Sequence, residues 1–187
     1  DNYTVTKQGS TTANISKASL TLSGITASNK TYNGDTTASV DTTSVTYTGL
    51  VSGDSFSVAA TGVFSDKNVA TGKTVTLTET ISGDDKDNYT VTKQGSTTAN
   101  ISKADLSLTG TRVYDGTTTF AASDVTSVTG VNSETFSITG SATLTSKNVQ
   151  TSQNLADLGT FTLTGNSGAL TTNYNDLSVT DTSVSVT

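Results

Sequence analysis

The residues that could do chemistry in this chain are few. It contains no His and no Cys, which removes the commonest general base, the usual metal ligand and the thiol nucleophile. Three groupings remain. The first is the acidic run Asp84, Asp85, Asp87 next to Asn88, whose carboxylates are the hard oxygen ligands that calcium takes. Its counterpart at 168–173 reads GALTTN, with no carboxylate, so a solvated turn is the main expectation and calcium the lesser one; no other metal and no cofactor is expected. The second is the pair of Lys-Asn dipeptides, Lys67 with Asn68 and Lys147 with Asn148. An internal Lys to Asn crosslink is one use of such residues, but neighbours in sequence point apart, and each would need a distant partner and a carboxylate. The third is Tyr32, Asn33, Gly34 and its recurrence as Tyr114, Asp115, Gly116. Asn-Gly and Asp-Gly favour a type I′ hairpin turn with φ above zero, and the Tyr is expected to pack the core edge with its hydroxyl on a backbone partner. The functional alternative is an aromatic platform for a sugar ring. A catalytic pair should recur in both halves or sit in one insertion; neither is seen, and the chain is not expected to be an enzyme.

What positions these residues is a repeat. Residues 1–18, DNYTVTKQGSTTANISKA, recur unchanged at 87–104. Beyond that identity the halves stay in register: LTLSG at 20–24 faces LSLTG at 106–110, DSFSV at 54–58 faces ETFSI at 134–138, KNVAT at 67–71 faces KNVQT at 147–151, and VTLT at 75–78 faces FTLT at 161–164. Self-similarity at a long period marks tandem units, and wandering offsets mark insertions in surface loops. The phase divides the chain into an orphan terminal strand of a preceding repeat at 1–16, a first repeat at 17–102 and a second at 103–187. The orphan is expected to fray, because a strand without its sheet is not stable in water. The joint is expected at Asn100, Ile101, Ser102 and Lys103, with no Pro or Gly to loosen it and with Ile101 tucked into the interface.

Within each repeat the apolar residues alternate with Thr and Ser at period two, the signature of strands with one wet face. Leu20 and Leu22, Phe56 and Val58, Val75 and Leu77, Tyr89 and Val91, Leu106 and Leu108, Phe136 and Ile138, and Phe161 and Leu163 all follow it. Apolar residues make up 32% of the chain, a thin core, but charged residues are only 14% and the net charge is −6, too little for disorder by self-repulsion. The expected fold is all-β: two tandem immunoglobulin-like antiparallel β-sandwich modules, each with its own core, in an elongated end-to-end arrangement.

Ten Lys and Arg scattered singly give no basic stripe for phosphates, so no nucleic-acid partner is expected. No apolar run approaches the roughly 18 residues of a membrane span, so this segment is not expected to insert into a membrane. The Tyr114, Asp115, Gly116 tripeptide with its following Thr run, the K-N-V segments, the G-x-D-x-x-N-Y-like ending at 83–89 and the ANISKA joint together resemble the YDG and MBG-type repeats of bacterial adhesins. Asn33 and the TTNY sequence at 171–174 depart from that pattern. The resemblance spans nearly the whole chain. It implies immunoglobulin-like modules strung between an anchoring region and a distal adhesive region, often in filamentous-haemagglutinin-like exoproteins of the bacterial cell surface. The expected role is a stalk or spacer that extends an adhesive region for attachment or biofilm formation. Its expected partners are neighbouring repeats, with the segment itself a monomer, and host or matrix glycan or protein contacted through other parts of the parent. The alternative is a carbohydrate- or host-protein-binding module acting through the loops at 38–44 and 152–159. Asn2, Asn14, Asn29, Asn88 and Asn100 begin N-x-S/T sequons, and extracellular location would leave them open to glycosylation.

Overall fold

Alternation of apolar and Thr residues becomes strands with one buried face. In a computed structural model describing residues 2–187, the longest strand, Ala70–Ser82, buries every second residue from Lys73 to Glu79 and exposes the Thr residues between them. Its two inward polar groups are both engaged: Lys73 Nζ pairs with Asp66 at 2.7 Å, and Glu79 Oε1 accepts from the backbone N–H of Gln94 at 3.0 Å. The described residues are strands, loops and five three-residue 3₁₀ turns, so the fold is all-β as expected. Asp1, the first residue of the expected orphan segment, lies outside the described residues. Residues 2–16 form no strand and are exposed.

The first repeat forms a five-stranded sheet and a three-stranded one. The larger runs Lys30–Thr31, Ser96–Ser102, Ala70–Ser82, Ser57–Phe64, Thr37–Ala38 in spatial order. In the smaller, Ala18–Ser23 lies between Thr46–Thr48 and Tyr89–Thr92. The second repeat centres on a four-stranded sheet in which Ser107–Arg112 lies between Val125–Thr129 and Thr182–Val186. Pairing is mostly antiparallel, with a shared exception. Ala18–Ser23 pairs parallel with Tyr89–Thr92, and Ser107–Arg112 pairs parallel with Thr182–Val186. In the second repeat the opening and last strands therefore run in the same direction, so its chain enters at one end and leaves at the other; in the first, the parallel partner of the opening strand is followed by one more strand, Ser96–Ser102. A third parallel pair joins Lys30–Thr31 to Ser96–Ser102.

Among the described residues every strand ladder lies within 17–102 or within 103–187. The cores divide differently. Leu20, Leu22 and Tyr89 form a small cluster at one end of the first repeat. The main cluster runs from Ile25, Tyr32 and Phe64 to Phe120, Leu144 and Val184. The expectation of two independent cores is thus replaced by apolar packing that continues across the boundary, because large rings from both repeats meet there.

The Tyr-x-Gly loops also differ from the hairpins expected. Residues 32–36 lead from Lys30–Thr31 to Thr37–Ala38, which are opposite edges of the five-stranded sheet. The loop is a crossover. Only the glycines take positive φ, +79° at Gly34 and +80° at Gly116, whereas a type I′ turn requires it at both central residues.

Candidate functional site

The densest set of polar contacts lies where the two repeats meet. Glu134 follows a tight turn at Val131–Ser133, where Asn132 and Ser133 hold positive φ, and that turn aims its carboxylate at the first repeat. Glu134 Oε1 accepts from the Tyr32 hydroxyl at 2.7 Å and from Lys67 Nζ at 2.9 Å. Its Oε2 accepts from the Tyr174 hydroxyl at 2.9 Å, and that hydroxyl in turn accepts from Val131 N–H at 3.1 Å. The rings stack edge to face: Tyr32 on Tyr174 at 5.5 Å and Phe136 on Tyr174 at 5.2 Å between centroids, a geometry that adds about 0.5–1.5 kcal/mol per pair beyond area burial.

Asn173, 1% exposed, is the second fastening. Its Nδ2 donates to Asn68 Oδ1 at 3.0 Å and its Oδ1 accepts from Val69 N–H at 2.9 Å. The third is Asn132, whose Nδ2 donates to the Asn33 carbonyl at 2.8 Å. That approach needs a glycine at position 34, where a Cβ would stand 2.4 Å from Asn132 Nδ2.

Electrostatics follow this geometry. Burial pushes the Glu134 carboxyl up, but the Lys67 ammonium and the Tyr32 and Tyr174 hydroxyls outweigh it and leave it below the ordinary carboxylate range. The Lys67 ammonium is held charged above its usual range, first by Glu134. Burial, then Glu134, raises the hydroxyls of Tyr32 and Tyr174. The cluster is therefore one carboxylate serving three donors.

A YDG domain is matched at residues 15–99 and again at 96–183. The chain belongs to the YDG domain family. No curated protein and no solved structure matches it. Residues of one YDG match thus supply Tyr32, Asn33, Gly34, Lys67 and Asn68, and residues of the other supply Glu134, Asn173 and Tyr174. The structure brings together two motifs that the sequence shows far apart, Tyr-x-Gly and Lys-Asn, and gives both one partner.

Other candidate residues fall elsewhere. Asn100, Ile101 and Ser102 belong to the closing strand Ser96–Ser102 of the first repeat, with Ile101 buried in the main cluster and Asn100 N–H donating to Asn29 Oδ1 at 2.7 Å. Lys103 is exposed. The link lies against the packed interface: the Ser102 carbonyl accepts from Tyr32 N–H at 2.8 Å, and Ala104 N–H donates to the Asn173 carbonyl at 3.1 Å. The Asp115 side chain serves its own loop, accepting from Thr117 N–H at 2.8 Å. Of the acidic run, Asp85 accepts from Ser55 N–H at 2.8 Å and Asp87 pairs with Lys86 at 2.9 Å, and among the described residues no three metal-ligating side chains converge. Sequence reading missed Glu134, Asn173 and Tyr174. The signals were present in the facing segments DSF and ETF and the Asn-Tyr pairs at 88–89 and 173–174, but recurrence alone does not say which copy meets which.

Comparing Gly34→Ala with Gly116→Ala isolates the interface. Both glycines have nearly equal φ, so both variants carry the same left-handed backbone cost of about 1–2 kcal/mol. Only position 34 has the Asn132 contact; the nearest atom to a Cβ at Gly116 is the Tyr114 hydroxyl, 3.9 Å away. Gly34→Ala is expected to cost about 1 kcal/mol more, read by urea unfolding of the two variants side by side. Equal losses would show that the Asn132 bond contributes nothing.

Proposed function

We propose that this YDG-domain chain is a spacer: a structural segment of a bacterial cell-surface adhesin, extracellular, that holds an adhesive region away from the cell. The observation that carries the reading is the parallel pairing of each repeat's opening strand with a strand at or next to its end, together with the fastening at Glu134. Parallel terminal strands put entry and exit at opposite ends, so each added repeat adds length. An interface tied by four loops, at 32–34 and 67–69 on one side and at 131–134 and 171–174 on the other, resists bending better than the connecting backbone alone would. Force applied along such a chain is carried through ladders within each repeat and through the Glu134 cluster between them. The neighbouring repeat is the partner this geometry serves, and the role calls for no bound group and no catalysis.

Small-angle scattering of the chain tests the reading. Two end-to-end units predict a radius of gyration of about 21 Å, against about 16 Å for one sphere-like body of this length. A value near the lower figure sinks the spacer.

A further inference from the structure

Each repeat carries both halves of the interface, but the chain joins only one pair. The head face of the first repeat (Tyr32, Gly34, Lys67, Asn68) is covered by the second repeat. The same positions of the second repeat are Tyr114, Gly116, Lys147 and Asn148. The tail face of the second repeat (Glu134, Phe136, Asn173, Tyr174) is covered by the first. Its equivalents in the first repeat are Asp54, Phe56, Asn88 and Tyr89.

The uncovered tail is already built in the shape of the covered one. Tyr89 donates to Asp54 Oδ2 at 2.5 Å, as Tyr174 donates to Glu134 Oε2. The Tyr89 hydroxyl accepts from Val51 N–H at 2.9 Å, as that of Tyr174 does from Val131. Phe56 meets the Tyr89 ring edge to face at 5.7 Å and 81°, matching Phe136 on Tyr174 at 5.2 Å and 82°. Among the described residues Asp54 Oδ1, the counterpart of the oxygen that takes Tyr32 and Lys67, accepts no protein hydrogen bond. Asn88 is exposed and lines an open cleft with Ile15, Ser16, Lys17 and Asp87.

Burial differs where coverage differs. Tyr32 is 2% exposed and Tyr114 is 50%. Asn173 is buried and Asn88 is exposed; Lys67, Asn68 and Val69 are half-buried and Lys147, Asn148 and Val149 are exposed. The backbone beneath the head is conserved in form, with Tyr114 N–H donating to the Thr187 carbonyl at 2.8 Å as Tyr32 N–H does to that of Ser102 at 2.8 Å. Only the Asn33 carbonyl is used across the interface, so Asp115 offers the same acceptor; its donor Asn132 is replaced by Ser52 in the tail of the first repeat.

We propose that the exposed head of the second repeat docks the tail of the first repeat in a second copy of this chain: Tyr114 and Lys147 on Asp54, and Asn148 on Asn88. Such a contact joins two different surfaces, so each docked copy leaves a further head and tail exposed. This rests on the spacer reading and specifies its repeating contact. Between separate chains it is weak; joined in one chain it gains from the high effective concentration that a short link provides.

The test uses the absence of native cysteine. Asn148→Cys and Asn88→Cys chains are mixed in equal amounts at millimolar concentration in a thiol-disulfide buffer, and the dimers are sorted by mass. Random encounter makes half of them mixed. Docking is expected to raise the mixed species to several times the two like pairs together, and Tyr114→Ala or Lys147→Glu in the Asn148→Cys chain is expected to return it towards half. Mixed dimers at or below half, no dimers, or insensitivity to both exposed substitutions would overturn the proposal. Scattering from the unmodified chain judges the spacer separately, so a rod without docking and docking without a rod are distinct results.

Discussion

Replacing Glu134 with alanine is expected to lower stability by about 2–4 kcal/mol at neutral pH, the range for leaving buried donors and a paired charge without their acceptor. The loss has identifiable parts. The Tyr32 hydroxyl, on a residue 2% exposed, has no other acceptor among the described residues. Tyr174 loses its acceptor as well, though Val131 N–H still donates to its oxygen. Lys67 suffers least, because its side chain is 40% exposed and can turn to water. Glutamine is expected to fall between, since its amide keeps the volume and one acceptor oxygen but turns an NH₂ towards a donor.

The effect also has a pH signature. The folded Glu134 carboxyl titrates below the ordinary value of 4.5, so the fold favours its ionised form. Its contribution is present above the unfolded value and is lost as pH falls through the folded one. Denaturant unfolding of the native chain and of Glu134→Ala should give a gap that is widest near neutrality and narrows under acid. The carboxyls of Asp35, Asp41, Asp66 and Asp115 are also lowered, and they cancel in the comparison because both proteins carry them. On the alkaline side Tyr32, Tyr174 and Lys67, all raised, contribute below their unfolded values and lose that contribution as pH rises through the folded ones. A gap that is constant with pH would mean that Glu134 acts by packing alone.

Phe120→Ala is expected to cost about 3–5 kcal/mol, the usual loss for deleting a buried ring, and to lower the melting midpoint by on the order of 6–20 °C in a chain of this size. Phe120 is fully buried, and its ring lies over Gly110, where a Cβ would come within 2.6 Å of it. The repeats show how the volume is shared. Phe120 pairs with Ala142 where the first repeat pairs Ala38 with Gly62, and the buried Leu144 of the second repeat stands where the first has Phe64. One large ring is used per repeat, on opposite strands. Adding Leu144→Phe to Phe120→Ala is therefore expected to recover part of the loss, as volume-conserving exchanges do. Calorimetry of the single and double variants reads this directly; a double variant worse than Phe120→Ala would show that the repeats pack by different rules.

Much of the fold was legible because its signals are local. Period-two alternation marks which face of Ala70–Ser82 is dry, and Thr at every other position leaves little choice but strand. The offsets between facing segments locate the loops. Turn geometry was less legible: Asn-Gly permits a hairpin, but whether the chain turns back or crosses the sheet depends on which strands lie beside it, and those pair over tens of residues. The same holds for the cores. Nothing near Tyr32 in sequence says that its ring meets Tyr174, so two separate cores were the natural expectation.

The sequence by itself determined the all-β class, the repeat and its phase, and the absence of thiol and imidazole chemistry, since each is a matter of residue type and short-range period. Tertiary structure alone decided that Tyr-x-Gly and Lys-Asn face one carboxylate, that the apolar packing runs through the boundary, and that Tyr32 is buried where Tyr114 is exposed. Those facts depend on contacts between residues about 100 positions apart, such as Tyr32 and Glu134, which differ by 102. A pattern repeated in both halves names the surfaces but cannot say which of them are joined until the chain is folded.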